Sequence, residues 1–338
     1  MKQRKNIPVI LLILIILLYS MNFAYAENSV SIPDSIPVLK GYSPIRVVGL
    51  DTASKKPSVV LVLSGGSARG FAHAGVLSVL RDYHIPIDLI IGVSMGSIMG
   101  GYYAYGYTPK QLLVKMKAFK LSSIINITSM GRGILDGDKE FAIFKRDVGN
   151  AKIEDLKIPL VIVATDLTEK KVFIFSKGPL ALAMRASSAI PGIFEPVKYR
   201  GHLLVDGGVL DDIPVDIARK MGARTIIVSD VAALSTLYSH GFRRSILELA
   251  IDLANRKRTA FNIDNNKPSG LEIFAASLRL LEKGYSRVTS PKIYTADIVI
   301  KPLNNDIHTF DFGKAEEAYI MGREATLKVI DKIIEKIH

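Results

Sequence analysis

Short apolar runs, glycine-bearing turns and helical stripes alternate along most of this chain. Val59–Leu63 is apolar throughout and is followed by Ser64-Gly65-Gly66-Ser67-Ala68-Arg69-Gly70. Residues 71–83 then carry Ala72, Val76, Val79 and Leu80 on one stripe, the spacing of a helix. A second apolar run, 89–91, leads through Gly92-Val93-Ser94-Met95-Gly96 into a helical stretch over 97–105. Two strand–turn–helix units therefore stand in succession. Thr108-Pro109 starts a further helix, since Thr caps well and Pro suits a first turn.

The same rhythm continues downstream. Residues 160–164 read as a buried strand, with 171–175 as a partner, and 180–189 as a helix stopped by Pro191-Gly192. Leu203-Leu204-Val205 runs into Asp206-Gly207-Gly208, 213–220 is helical, and 225–229 is another strand. Gly131-Arg132-Gly133 and Asp136-Gly137-Asp138 read as loops. Residues 232–290 break the alternation, with basic ends around an apolar helix at 246–254. A strand at 297–301 and one amphipathic helix at 314–337 close the chain. Strands alternating with helices predict an α/β layered fold with a mostly parallel central sheet. No internal repeat stands out.

Length and composition allow one large domain: 338 residues, 49% hydrophobic, with no cysteine. Disulfides and cysteine-ligated zinc are thereby excluded. The net charge of +12 suits anionic partners such as a phospholipid surface. No basic cluster interleaved with aromatics occurs, so no nucleic-acid partner is expected. Lys2, Arg4 and Lys5, the apolar run 7–19 and Ala24-Tyr25-Ala26 have the three parts of a secretory signal peptide. An uncleaved anchor is the competing reading. The run is shorter than the ~20 residues a spanning helix needs. The expected location is periplasmic or secreted, possible membrane contact included. Residues 27–57 form a leader in which 45–50 offers an edge strand.

The glycine turns carry the candidate chemistry. Gly92-Val93-Ser94-Met95-Gly96 has the G-x-S-x-G pattern of a nucleophile elbow, which exposes a serine at a sharp strand-to-helix turn. A serine hydroxyl needs a base and a site for the developing oxyanion. The first turn is not a Walker A loop, because Phe71 stands where the lysine belongs, and it lacks the first glycine of G-x-G-x-x-G. Its backbone N–H groups at a helix start suit an oxyanion instead. Arg69 adds positive charge, near a substrate phosphate or bracing the loop. For the base, His240 and His308 come late enough for a Ser–His–Asp order, but neither has a distinctive context. Asp206 ends a strand beside two glycines, where partial desolvation raises proton affinity. The plain alternative is a strand-ending Asp-Gly turn.

Taken together, Gly65 to Gly70, Gly92 to Gly96 and Asp206-Gly207-Gly208 resemble the patatin-like phospholipase family. Phe71-Ala72-His73-Ala74-Gly75-Val76-Leu77, residues 186–194 and Val209-Leu210-Asp211-Asp212-Ile213-Pro214 resemble bacterial members, and the tail resembles the neuropathy-target-esterase-like branch. The resemblance implies a three-layer α/β/α fold and a Ser–Asp dyad without histidine. Ser94 would be the nucleophile, Asp206 the base, and Gly65, Gly66 and Ser67 the oxyanion hole, with Arg69 toward substrate. No metal or cofactor is implied. Two positions depart from the family pattern: Ser67 where a third glycine is usual, and Asp212 where asparagine is common.

The expected function is an exported acyl hydrolase acting on phospholipid or lysophospholipid at a membrane surface. The alternative is a non-catalytic lipid- or anion-binding protein on the same fold, for which Ser67 is the hint. The organisation read from the sequence is a signal peptide at 1–26, a leader at 27–57 and a catalytic core at 58–231. A helical insertion or lid at 232–290 and a closing strand and helix at 291–338 complete it.

Overall fold

In a computed structural model, the structure describes residues 57–120, 137–191, 193–231, 295–302 and 311–337, with 46–48, 273, 277 and 307. The expected signal segment, most of the expected leader and nearly all of the expected lid lie outside the described residues. Among those described, no helix is long and apolar enough to cross a membrane.

Among the described residues, nine strands form one sheet. They are β1 (Arg46–Val48), β2 (Val59–Leu63), β3 (Leu89–Val93), β4 (Leu160–Asp166), β5 (Lys171–Phe175), β6 (Val197–Tyr199), β7 (His202–Asp206), β8 (Thr225–Ser229) and β9 (Ile298–Ile300). The main order is β1-β5-β4-β3-β2-β8-β9, with β7 paired to β4 and β6 to β7. Pairs β1/β5, β3/β4, β2/β3, β2/β8 and β8/β9 are parallel. The β4/β5, β4/β7 and β6/β7 pairs are antiparallel.

The continuous apolar runs follow from burial on both faces, because a strand in the middle of a layered fold has no solvent side. Along β2, Val59, Leu61 and Leu63 enter one core, whereas Val60 and Val62 enter the other. The larger core is covered by α1 (Ala72–Asp82), α2 (Met95–Tyr105), α3 (Pro109–Ala118), α4 (Gly137–Val148), α5 (Leu180–Ser187), α7 (Ala315–Leu327) and α8 (Ile330–Ile337). On the other face α6 (Val215–Lys220) supplies Val215, Ile217 and Ala218. The fold is therefore a three-layer α/β/α sandwich. Each fully buried aliphatic side chain contributes roughly 1.5–3 kcal/mol relative to exposure.

Local chemistry sets several boundaries. Thr108 and Gln111 form a capping box at α3: Thr108 Oγ1 accepts the Gln111 N–H, and Gln111 Oε1 accepts the Thr108 N–H. Residues 67–71 make a 3-10 turn before α1 starts at Ala72, one residue later than expected. The helix expected from 97 begins at Met95, immediately after Ser94. Gly137 and Asp138 do not sit in a loop but open α4, whose first turn holds Asp138 and Glu140 and whose last holds Lys145 and Arg146. That charge order complements the helix dipole. The single closing helix expected at 314–337 is split into α7 and α8. Buried Thr326 turns its hydroxyl back onto the Gly322 carbonyl at 2.7 Å, a bond that bends helices near their ends. The apolar pattern does not predict the hairpin β6–β7. Its two-residue turn, Arg200 at φ 49° and Gly201 at φ 84°, has both residues left-handed as tight hairpins require.

Candidate active site

One residue joins β3 to α2. Ser94 has φ 50° and ψ −121°, a left-handed backbone that costs a non-glycine residue roughly 1–3 kcal/mol. Its surroundings hold it there. The Ser94 N–H donates to Ser187 Oγ at 2.9 Å, and Ser187 Oγ donates to the Val163 carbonyl at 2.6 Å. The Ser94 carbonyl accepts Ser97 Oγ at 2.7 Å and the Ser97 N–H at 2.9 Å. The hydroxyl is left to point at one partner: Ser94 Oγ donates to Asp206 Oδ2 at 2.6 Å.

Register brings the two together. β5 occupies one edge of β4 over Ile162–Asp166, so β3 and β7 share the other edge. β3 runs parallel to β4 and ends with Val93 beside Val163, while β7 runs antiparallel and ends with Asp206 beside Ala164. The C-terminal ends of two strands from distant parts of the chain thus meet head to head. Gly207 makes the approach possible, since a Cβ there would lie 2.3 Å from the Val163 carbonyl oxygen. Asp206 is held by its N–H to the Ala189 carbonyl at 3.0 Å and by the Gly208 N–H on Oδ1 at 2.8 Å. Burial pushes its pKa up to about 6, against the lowering effect of the Ser94 and Gly208 hydrogen bonds.

The first glycine turn lies against this pair. A Cβ on Gly65 would stand 3.2 Å from the Ser94 Cβ and 2.3 Å from Asp212 Oδ1. Here the sequence expectation is corrected. The Gly65 N–H donates to Asp212 Oδ1 at 3.0 Å, so it is not available to an oxyanion. The first bond inside the 3-10 turn runs from the Arg69 N–H to the Gly66 carbonyl. The N–H groups of Gly66 and Ser67 precede it, have no acceptor among the described residues, and remain for a ligand. Ser67 itself has φ 51°, the conformation for which glycine is suited. Arg69 Nε donates to the Ile307 carbonyl at 2.8 Å, a bond that braces the loop. Asp212 braces the Gly65 turn through its bond to the Gly65 N–H, and its carboxyl group lies close to Gly208.

Among the described residues, His73 and His202 are committed elsewhere. His73 is fully buried, with Nε2 2.9 Å from the Ser64 carbonyl and Nδ1 2.8 Å from Ser229 Oγ. A carbonyl only accepts, so Nε2 carries the proton and Nδ1 accepts from Ser229. Burial lowers the His73 pKa to about 4, so it stays neutral. His202 Nδ1 lies 2.7 Å from Asp166 Oδ2. His240 and His308 lie outside the described residues.

Ser94 opens onto a cavity of about 940 Å³ with mostly apolar walls, including Phe71, Met95, Ile98, Ile193, Phe194 and Phe312. Within it, Glu140 is buried beside Arg185 Nε at 3.5 Å and Ser188 Oγ at 3.2 Å. Burial raises its pKa to about 7, although Arg185 and Ser188 oppose the rise. No local pattern in the sequence marks the positioning roles of Ser187, Ala189 and Glu140. The one signal is that residues 187 and 189 lie inside the stretch that carries the family resemblance.

Residues 61–219 match the family model described as patatin-like phospholipase. Those residues belong to the patatin-like phospholipase family. Ser94, Asp206, Asp212 and the first glycine turn all lie within the matched patatin-like stretch. Among similar proteins, Lysophospholipase NTE1 of Eremothecium gossypii is 33% identical over 276 residues, covering 78% of this chain and 18% of that protein. The Uncharacterized NTE family protein Mb1092c of Mycobacterium bovis is 39% identical over 179 residues, covering 52% of this chain and 50% of that one. The chain thus spans half or less of these relatives. A solved structure, VipD from Legionella pneumophila, aligns with a TM-score of 0.49 at 12% identity, covering 82% of this chain and 67% of that one.

Proposed function

We propose that this patatin-like chain is a serine acyl hydrolase that releases fatty acid from phospholipid or lysophospholipid. The observation that carries the reading is the 2.6 Å contact from Ser94 Oγ to Asp206 Oδ2 at the edge of an apolar cavity. The name of the NTE1 relative, a lysophospholipase, supports the substrate class.

Ser94 Oγ attacks the ester carbonyl carbon and its proton passes to Asp206 Oδ2. The carbonyl oxygen becomes an oxyanion facing the Gly66 and Ser67 N–H groups. Collapse breaks the ester C–O bond, and Asp206 returns the proton to the departing alcohol. Water then attacks acyl-Ser94, Asp206 takes its proton, and collapse restores the Ser94 hydroxyl and frees the fatty acid. A carboxylate with pKa near 6 is ionised at neutral pH yet basic enough for this duty. The apolar cavity accommodates the acyl chain. The first twenty-six residues direct export, with cleavage after Ala26, and the basic surface favours contact with anionic membranes.

The test is lipid product analysis by mass spectrometry, comparing wild type with Ser94→Ala on mixed phospholipids. Fatty acid released by wild type alone supports the reading. No release, and no labelling of a folded wild type by a fluorophosphonate, favours a lipid-binding role instead. Mass measurement of the protein recovered from cells tests the cleavage site.

A further inference from the structure

Asp212 is 3% exposed and wedged between the two turns of the site. Its Oδ1 accepts the Gly65 N–H at 3.0 Å and lies 3.0 Å from the place a Cβ on Gly208 would take. Among the described residues, the charged groups acting on it are Asp206 at the end of β7, Asp230 just after β8 and Asp211 beside it in the chain, all of them acids. A single backbone N–H is weak support for a buried anion in such company. A neutral carboxyl needs less. Its carbonyl oxygen accepts the Gly65 N–H just as the amide oxygen of asparagine would.

We propose that Asp212 is a positioning residue that works as a neutral carboxylic acid, holding the first glycine turn against Ser94, and that its ionisation switches the site off. The kinetic part rests on the hydrolase reading above. Burial, reinforced by Asp206, Asp230 and Asp211, pushes the Asp212 pKa up to about 8, so the proton leaves to water within ordinary assay conditions. A full negative charge then appears one hydrogen bond from the Gly65 amide. An oxyanion forming beside that turn meets a like charge, and the turn loses its catalytic electrostatics. Asparagine at 212 would keep the acceptor and remove the ionisation.

Two readouts on the full chain test this. Initial rates on lysophosphatidylcholine micelles fall on the alkaline side in wild type, approaching about tenfold per pH unit above pH 8, while Asp212→Asn holds its neutral rate. Identical alkaline limbs, or a folded Asp212→Asn that is inactive at neutral pH, overturn the proposal. Infrared titration needs no turnover and therefore separates failure of this proposal from failure of the hydrolase reading. Between about pH 7 and 9 the wild type loses one more protonated-carboxyl band than Asp212→Asn. Equal loss in both overturns it. If Asp212→Asn does not fold, Asp212→Ser serves as the comparison, with the same expected and contrary outcomes.

Discussion

Ser94 and Asp206 stand 112 positions apart, yet their side chains meet at 2.6 Å because both lie at strand ends on one edge of β4. The pairing is a matter of sheet register, with β3 arriving parallel and β7 antiparallel. Ser187 at the end of α5 and Ala189 just beyond it then tie the backbone of each partner in place.

Removing either partner should abolish turnover and leave the fold. Asp206→Asn is expected to lower the hydrolysis rate by roughly 10²–10⁴-fold, the usual worth of a positioned base. Ser94→Ala should lower it at least as far. In wild type the base must be ionised, so the rate rises as pH increases through about 6. Steady-state rates against pH, with thermal melts of the variants, check this.

Ser67→Gly should stabilise the protein. The wild-type residue sits at φ 51°, and relieving a left-handed non-glycine position is worth about 1 kcal/mol. Chemical denaturation midpoints of the two proteins give the answer. An unchanged or lower midpoint would mean that the Ser67 side chain supplies compensating contacts.

Gly207→Ala should damage stability and rate together. The added Cβ would meet the Val163 carbonyl at 2.3 Å, and backbone cannot swing aside as a side-chain tip can. A loss of at least about 2 kcal/mol is expected, because β7 must draw back from β4. Asp206 would retreat with it. Denaturation curves and rates measured on the same preparation should fall in parallel.

Glu140 tests the cavity wall. Glu140→Ala empties space beside the buried Arg185, which keeps its Gly137 and Glu195 carbonyl acceptors, and should cost about 1–3 kcal/mol. Glu140→Gln should cost less. Because folding raises the Glu140 pKa from 4.5 to about 7, its contribution is fullest below pH 4.5 and is lost as pH rises through 7. The Tm of Glu140→Gln relative to wild type should therefore improve over that interval.

Much of the site is legible in the sequence because its turns have strong local requirements. Val59–Leu63 and the Gly92-Val93-Ser94-Met95-Gly96 elbow announce strands that end in glycine turns, and a serine at such an elbow points to one chemistry. Asp206 is legible only in company, since Asp-Gly by itself marks an ordinary turn. The start of α4 is hidden because Asp136-Gly137-Asp138 looks like a loop, whereas Asp138 and Glu140 in fact serve the helix N-terminus. The sequence leaves Arg69 open between a substrate phosphate and bracing of the loop, because it carries no sign that Ile307, 238 positions away, accepts its Nε–H.

The chain's own pattern determined the layered fold, the position of the elbow serine and the glycine turn beside it, since each depends on neighbours within a few residues. Tertiary structure decided which amides remain open. Asp212 takes the Gly65 N–H from 147 positions away, so the Gly66 and Ser67 N–H groups are the amides of this turn left open among the described residues. It also decided that no histidine among the described residues partners Ser94, and that an acid at 212 lies among other acids. Hydrogen-bond partners and local charge density arise from strands packing side by side, and the separation along the chain says nothing about them.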